Sequence, residues 1–223
     1  MNARERIERV KRVGSGLALM AFPPMLLIGF LMHPNITSLE LVTDAEMWAQ
    51  EFRGSLTFHL GHLIVLCCAP LAVVVGVRSM RFTQGRGAWL VYLGGVLGVF
   101  GALVLAVDKG SLTLVLTAFD TLPDPDFVQT YPALQVLLDR GGWLWIVNFL
   151  ALLPLGFALQ AIGLARAGVI GRAQAGLMVV GMSTLFVGDI EIITAAGAVL
   201  MCLGYIPMGL RELRGELGVG RTA

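Results

Sequence analysis

Histidine and carboxylate side chains recur at helical spacing in one short segment, DAEMWAQEFRGSLTFHLGH, at positions 44–62. On a continuous helix each residue advances by about 100°, so Glu51, His59 and His62 share one stripe less than about a quarter-turn wide. Neutral imidazoles and carboxylates are ligands for zinc, iron, copper and manganese. The spacing predicts a metal site formed by His59, His62 and Glu51, with His33 at the same membrane level as a further nitrogen ligand.

Two features of this segment oppose a single compact site. Gly54 is a poor helix former, and a break there rotates Glu51 off the stripe. Glu51 and His59 are also about 12 Å apart along the helix axis, too far for one small ion. Two other interpretations therefore stay open. One is haem held by His33 together with His59 or His62; the other is that the histidines only hydrogen-bond to water, headgroups or loop carbonyls.

The sequence lacks the motifs that identify common enzyme reactions. It contains no H-E-x-x-H zinc motif, no G-x-S-x-G nucleophile motif and no Walker loop. Cys67, Cys68 and Cys202 form an odd set without C-x-x-C spacing and are predicted to be small apolar core residues. The net charge of +1 gives no reason to expect nucleic acid as a partner. No substrate therefore follows from motifs.

The elements that must position these residues are membrane helices. Of the 223 residues, 57% are hydrophobic and only 14% are charged, against about 25% charged in soluble domains. A bilayer core needs roughly 20 apolar residues per helix. Five segments approach or meet that length: Gly14–Met32, Leu56–Val77, Ala88–Val107, Trp143–Leu164 and Ile190–Met208. A sixth, Ala173–Val187, is shorter. They predict an all-α integral membrane protein, a six-transmembrane-helix bundle in one domain, 1–223, with five helices as the alternative.

Basic residues decide the predicted orientation, because cytoplasmic loops are enriched in Lys and Arg. Of the 16 basic residues, only Arg53, Lys109 and Arg140 fall on the opposite side of a six-helix arrangement. Both terminal segments, 1–13 and 211–223, are therefore predicted to be cytoplasmic. The protein is predicted to lie in the inner membrane of a bacterium.

Two long loops, 33–55 and 108–142, are predicted on the outer side, where most acidic residues fall and could concentrate cations. Thr43 and Glu46 have capping-box spacing and predict a short helix, or a helix extension, before the second membrane helix. In the second loop, GSLTLVLTAF either lies at the interface or extends the third helix outward. LPDPDF is predicted to break any helix there.

Two further pairs of residues bear on packing and on the site. Gly94 and Gly98 form a G-x-x-x-G pair on the third membrane helix, which permits close packing within the bundle or with a second copy. Asp189 and Glu191 lie at the tip of the last hairpin. They would join the histidines if the last two helices packed beside the second.

Three functions are compatible with these features. The first is a binding or sensing module with an outward-facing His and carboxylate site for a metal ion or haem. The second is a structural or accessory subunit that contacts other membrane proteins and has no site of its own. The third is a membrane-embedded enzyme or redox component at the outer interface. In each case the lipid bilayer surrounds the chain.

Overall fold

The structure, a computed structural model, describes residues 2–187 and 190–217, and these residues form helices and no strand. The α-helices are α1 (Ala3–Leu31), α2 (Ala45–Phe52), α3 (Leu56–Ser79), α4 (Ala88–Asp120), α5 (Asp124–Val128), α6 (Tyr131–Leu138), α7 (Leu152–Arg166), α8 (Arg172–Ser183) and α9 (Glu191–Leu213). Two 3₁₀ segments, Gly142–Ala151 and Thr184–Phe186, precede α7 and follow α8. The predicted all-helical fold is confirmed. Asp189 lies outside the described residues.

Five helical segments of the described chain are long and apolar enough to cross a membrane. They are Ala3–Leu31, Leu56–Ser79, Ala88–Asp120, Gly142–Arg166 and Glu191–Leu213. The chain therefore has the helices of a multi-pass membrane protein. The predicted segment Ala173–Val187 forms α8 and its 3₁₀ extension and is shorter than those five. The six-span count stays a prediction.

Six helices pack in a closed order, α1 against α3, then α4, α7, α8 and α9, with α9 returning to α1. Neighbours run antiparallel. Gly16 of α1 meets Gly209 near the end of α9, and His33 after α1 meets Glu191 at the start of α9. Arg12 also lies close to Gly215, so both ends of the described chain are at one end of the bundle. We call this the termini end and the opposite one the histidine end.

Small residues allow the closest helix contact, between α4 and α7. A Cβ on Gly156 would collide with the backbone of Gly94 and Gly98, and one on Gly101 would collide with Leu153. The G-x-x-x-G pair of α4 therefore lies against α7 of the same chain. Association with a second copy is not tested by this contact and stays a prediction.

The interior between the six helices is mainly aliphatic and contains an aromatic cluster and a buried glutamine. Phe22, Phe157 and Tyr205, from α1, α7 and α9, have ring centroids 5.8–6.4 Å apart. Gln160 is buried, and its Nε2 donates hydrogen bonds to the carbonyls of Gly76 and Val91, 3.0 and 3.2 Å away. This side chain ties α7 to α3 and α4, which is how a polar group is accommodated in an apolar interior.

At the histidine end, α4 continues beyond its membrane-length part. Its 33 residues make it about 50 Å long, against a hydrocarbon core of about 30 Å. Its last turns form a second apolar cluster with α2, α5, α6 and the start of α3. This cluster includes Phe52, Phe58, Leu116 and Phe127. Of the two alternatives for GSLTLVLTAF, the structure shows the extension of the helix, so much of 108–142 is helical.

Two local predictions at this end need correction. Asp44, not Thr43, caps α2, because its carboxylate accepts a hydrogen bond from the backbone N–H of Met47 at 2.9 Å. The LPDPDF segment ends α4 but does not exclude a helix: Pro125 lies in the first turn of α5, where proline is tolerated because the first N–H groups have no helical partner.

Candidate metal site at the histidine end

The segment 44–62 is not one helix. After α2 the chain passes through Gly54 at φ +67°, a left-handed conformation that glycine adopts easily, and α3 begins after Ser55. The Ser55 hydroxyl caps α3 by accepting from the backbone N–H of Phe58 at 3.3 Å. The stripe assumed a continuous helix, so the break separates Glu51 from the two histidines of α3.

Glu51 is 8% exposed and faces the loop that follows α1. Its Oε1 accepts a hydrogen bond from Asn35 Nδ2 at 2.6 Å. Both residues line a polar cleft of about 410 Å³ between this loop and α2, together with Glu40 and Gln50. The sequence contains no signal that pairs Asn35 with Glu51, because the contact depends on how the loop folds back.

His59 belongs to the contact between α3 and α4. Its Nε2 lies 3.2 Å from Asp120 Oδ2, and its Nδ1 lies 3.5 Å from the Thr117 hydroxyl. Arg53 lies 3.7 Å from the same Asp120 carboxylate. Both ring nitrogens of His59 therefore have a partner among the described residues.

His62 has one nitrogen fixed by the backbone. Its Nδ1 lies 3.1 Å from the carbonyl oxygen of Phe58, and since a carbonyl can only accept, Nδ1 carries the proton. Nε2 of the neutral ring then bears a lone pair. The ring is 7% exposed, and its centroid is 5.3 Å from the His33 ring. A histidine whose second nitrogen donates to a carbonyl is arranged as metal-ligating histidines are.

His33 follows the last turn of α1 and faces α9. Its Nδ1 lies 3.4 Å from Glu191 Oε1, is buried, and has no hydrogen-bond partner among the described residues. Burial, and second the positive charge of Lys109, lower the pKa of His33 below its usual value. The ring is therefore neutral near pH 7, and its nitrogen is able to act as a ligand.

A small cleft of about 30 Å³ lies between His33, His62 and Lys109. That volume holds about one water molecule or one ion. The Lys109 ammonium is 3.3 Å from the carboxylate of its neighbour Asp108, which offsets its positive charge. The structure therefore brings His33 and His62 together, adds Glu191, and leaves His59 and Glu51 in other contacts.

Distances in this cluster resemble the edge of a tetrahedral zinc site, but the cluster is incomplete. Two ligand atoms bound at about 2.0–2.1 Å in tetrahedral geometry are about 3.4 Å apart, which matches the His33 Nδ1 to Glu191 Oε1 distance. In the part of the chain that the structure describes, no three His, Cys, Asp or Glu side chains surround a common point closely enough to hold a metal. The predicted metal site stays a prediction.

Glu191 had only a conditional place in the sequence-based hypothesis. Its position at the tip of the last hairpin would bring it to the histidines if the last two membrane helices packed beside the second, and nothing in the sequence shows that packing. In the structure its helix, α9, packs against α1.

Comparison of the chain with known protein families, with curated proteins and with solved structures finds no match.

Proposed function

We propose that this chain is a six-span inner-membrane protein of a bacterium that binds a divalent metal ion of the zinc type at its outer face. The observation that carries the proposal is the buried Nδ1 of His33, which lies 3.4 Å from Glu191 Oε1 and has no hydrogen-bond partner among the described residues. A buried nitrogen of this kind costs free energy unless a ligand or water satisfies it.

The six-span arrangement is supported by the packing order of the helices. An even number of antiparallel neighbours closes on itself, and α8 takes the place between α7 and α9 that a sixth crossing requires. The loops at the termini end contain most of the basic residues, so this end is assigned to the cytoplasm. The histidine end then faces outward, in a bacterium the periplasm.

The proposed ligands are His33 Nδ1, His62 Nε2 and Glu191 Oε1. Two imidazoles and one carboxylate form a recognised three-ligand set for zinc, with a fourth position left to water. Closing them around one ion requires a movement of these side chains or their helices, because the three atoms do not surround a common point in the structure. The cleft of about 30 Å³ fits an ion and not a porphyrin, so the proposal is a small metal ion rather than haem.

The module is proposed to bind or sense the ion, not to turn over a substrate. A zinc-activated water would need a cleft that admits a substrate, and Phe30, His62 and Lys109 line a cleft with room for about one water. His59 and Asp120 are assigned to holding α3 against α4, since their side chains contact each other.

Metal content of the protein tests this proposal. The chain is purified in detergent with lipid, dialysed against zinc and then against buffer, and its metal is measured by mass spectrometry. We expect about one ion per wild-type chain, the same in His59→Ala, and a loss of binding in His33→Ala and His62→Ala. Metal-free wild-type protein, or equal loading of all four proteins, would overturn the proposal. The accessory-subunit hypothesis would then replace it.

A further inference from the structure

A buried ion pair lies at the termini end of the same helices. Glu212, in the last turn of α9, is 0% exposed, and its Oε1 accepts hydrogen bonds from Arg78 Nε at 2.8 Å and from Ser15 Oγ at 2.9 Å. Arg78 Nη2 also lies 2.7 Å from this oxygen. We call Ser15, Arg78 and Glu212 the latch.

The latch is only half satisfied. Glu212 Oε2 is buried and has no hydrogen-bond partner among the residues that the structure describes. A buried carboxylate with one oxygen unpaired is costly, and buried ion pairs are often less stabilising than apolar residues of similar volume. The latch is therefore weak evidence for a purely stabilising role.

The latch and the proposed metal site are formed by the same three helices. α3 and α9 each contribute one residue to each cluster, Arg78 and His62 from α3 and Glu212 and Glu191 from α9; Ser15 lies in α1, and His33 lies just after that helix. Along the helices these pairs are separated by about 24–32 Å at 1.5 Å per residue. The two clusters therefore lie about one hydrocarbon thickness apart, at opposite ends of one three-helix unit.

Close backbone contacts hold α3 and α9 to α1, α3 near the histidine end and α9 near the termini end. A Cβ on Gly61 would lie 2.9 Å from the carbonyl oxygen of Gly29, so α3 is held to α1 near the histidines. A Cβ on Gly209 would lie 2.8 Å from the carbonyl oxygen of Gly16, so α9 is held to α1 near the latch. In the described residues α3 and α9 do not form a packed pair. The latch links them directly.

We propose that the latch sets the tilt of α3 relative to α9 and thereby lowers the affinity of the histidine-end site for its metal ion. This inference rests on the proposed function. In the structure the latch is formed while the three ligands are not gathered around one point. Bringing His62 and Glu191 to one ion changes the angle between α3 and α9, and the latch opposes that change because it joins these two helices far from the contact of α3 with Gly29. By linkage, metal binding then loosens the latch.

Zinc affinity of latch variants, measured by isothermal titration calorimetry, is the first test. We expect Arg78→Gln and Glu212→Gln to bind zinc about 10-fold more tightly than wild type. The matched control is Arg211→Gln, in the same turn of α9, because Arg211 Nη1 donates to the Val169 carbonyl and does not contact the latch. Its affinity is expected to equal that of wild type.

The outcomes separate the two proposals. Wild-type protein that binds no zinc contradicts the proposed function. Zinc binding by wild type with equal or weaker affinity in both latch variants contradicts the latch, while the metal site stands.

A second measurement tests the inference in a chain with an intact latch, in case the latch variants do not fold. Ser79, next to Arg78, is 1% exposed. In a chain whose Cys67, Cys68 and Cys202 are replaced by alanine, Ser79→Cys is expected to react faster with a maleimide when zinc is present. An unchanged rate at saturating zinc would overturn the inference.

Discussion

His59 and His62 are three residues apart on α3, yet their rings contact different helices. His59 Nε2 is 3.2 Å from Asp120 of α4, whereas the His62 ring is 5.3 Å from the ring of His33, after α1. Residues three apart on a helix differ by about 60° in direction, which is enough to face two neighbours when the helix lies between them. One histidine therefore stabilises a helix contact, and the other belongs to the proposed site.

Zinc is expected to raise the thermal stability of the wild-type protein. A ligand that binds only the folded state stabilises it by about 2.7 kcal/mol at 100 times its dissociation constant. The temperature of unfolding is followed by circular dichroism in detergent, with zinc and then with excess chelator. We expect the increment to persist in His59→Ala and to vanish in His62→Ala. An equal increment in both variants would contradict the assignment of His62.

Arg53→Ala is expected to destabilise the layer formed by α2, α5 and the end of α4. The Arg53 guanidinium donates to carbonyl or carboxylate oxygens at 2.7–3.2 Å and stacks over an aromatic ring at 4.1 Å; these partners are Phe119, Asp120, Leu122, Asp124 and Phe127. Losing several charge-assisted hydrogen bonds should cost about 2–3 kcal/mol. Thermal unfolding measures the loss. The control Arg172→Ala removes an exposed arginine and should change little; equal effects would count against the specific role of Arg53.

Gly156→Ala is expected to destabilise the contact between α4 and α7. The added Cβ meets the backbone of Gly98 and Gly94, which cannot move aside as a flexible side chain can. Overpacking of this kind costs about 1–3 kcal/mol. Gly176→Ala is the control, since a Cβ there meets nothing within 4 Å and alanine favours the helix. Chemical denaturation in mixed micelles compares the two, and equal stability would refute the close contact.

Labelling of single cysteines in whole cells should separate six spans from five. The Asp124 side chain is 94% exposed. Asp124→Cys is therefore expected to react with an impermeant thiol reagent added outside the cells. Arg86→Cys should react only after permeabilisation. Arg214→Cys decides the count: six spans place it with Arg86, whereas a non-crossing α8 places it outside. Labelling of Arg214→Cys in intact cells would contradict the six-span proposal.

The membrane helices follow from sequence because length and hydropathy are local properties. The start of α3 at Leu56 was predicted correctly, since a polar segment gives way to a long apolar run there. The end of α4 was left open between an interfacial segment and an extension of the helix, and the structure shows the extension, whose apolar side packs in a cluster with α2, α5 and α6. Gly54 was identified as a possible break, but only the structure shows that the break occurs.

The sequence by itself predicted that His33, His59 and His62 lie at one level of a helical membrane protein, and that Glu191 joins them in the six-helix arrangement, because depth follows from position along each apolar run. Tertiary structure alone decided which of them meet. Their directions depend on the order in which helices pack and on the left-handed turn at Gly54, which rotates α2 away from α3. Packing of α9 against α1 places Glu191 beside His33. Contacts between residues so distant in the chain have no local signal, because they arise from the fit of whole helix faces.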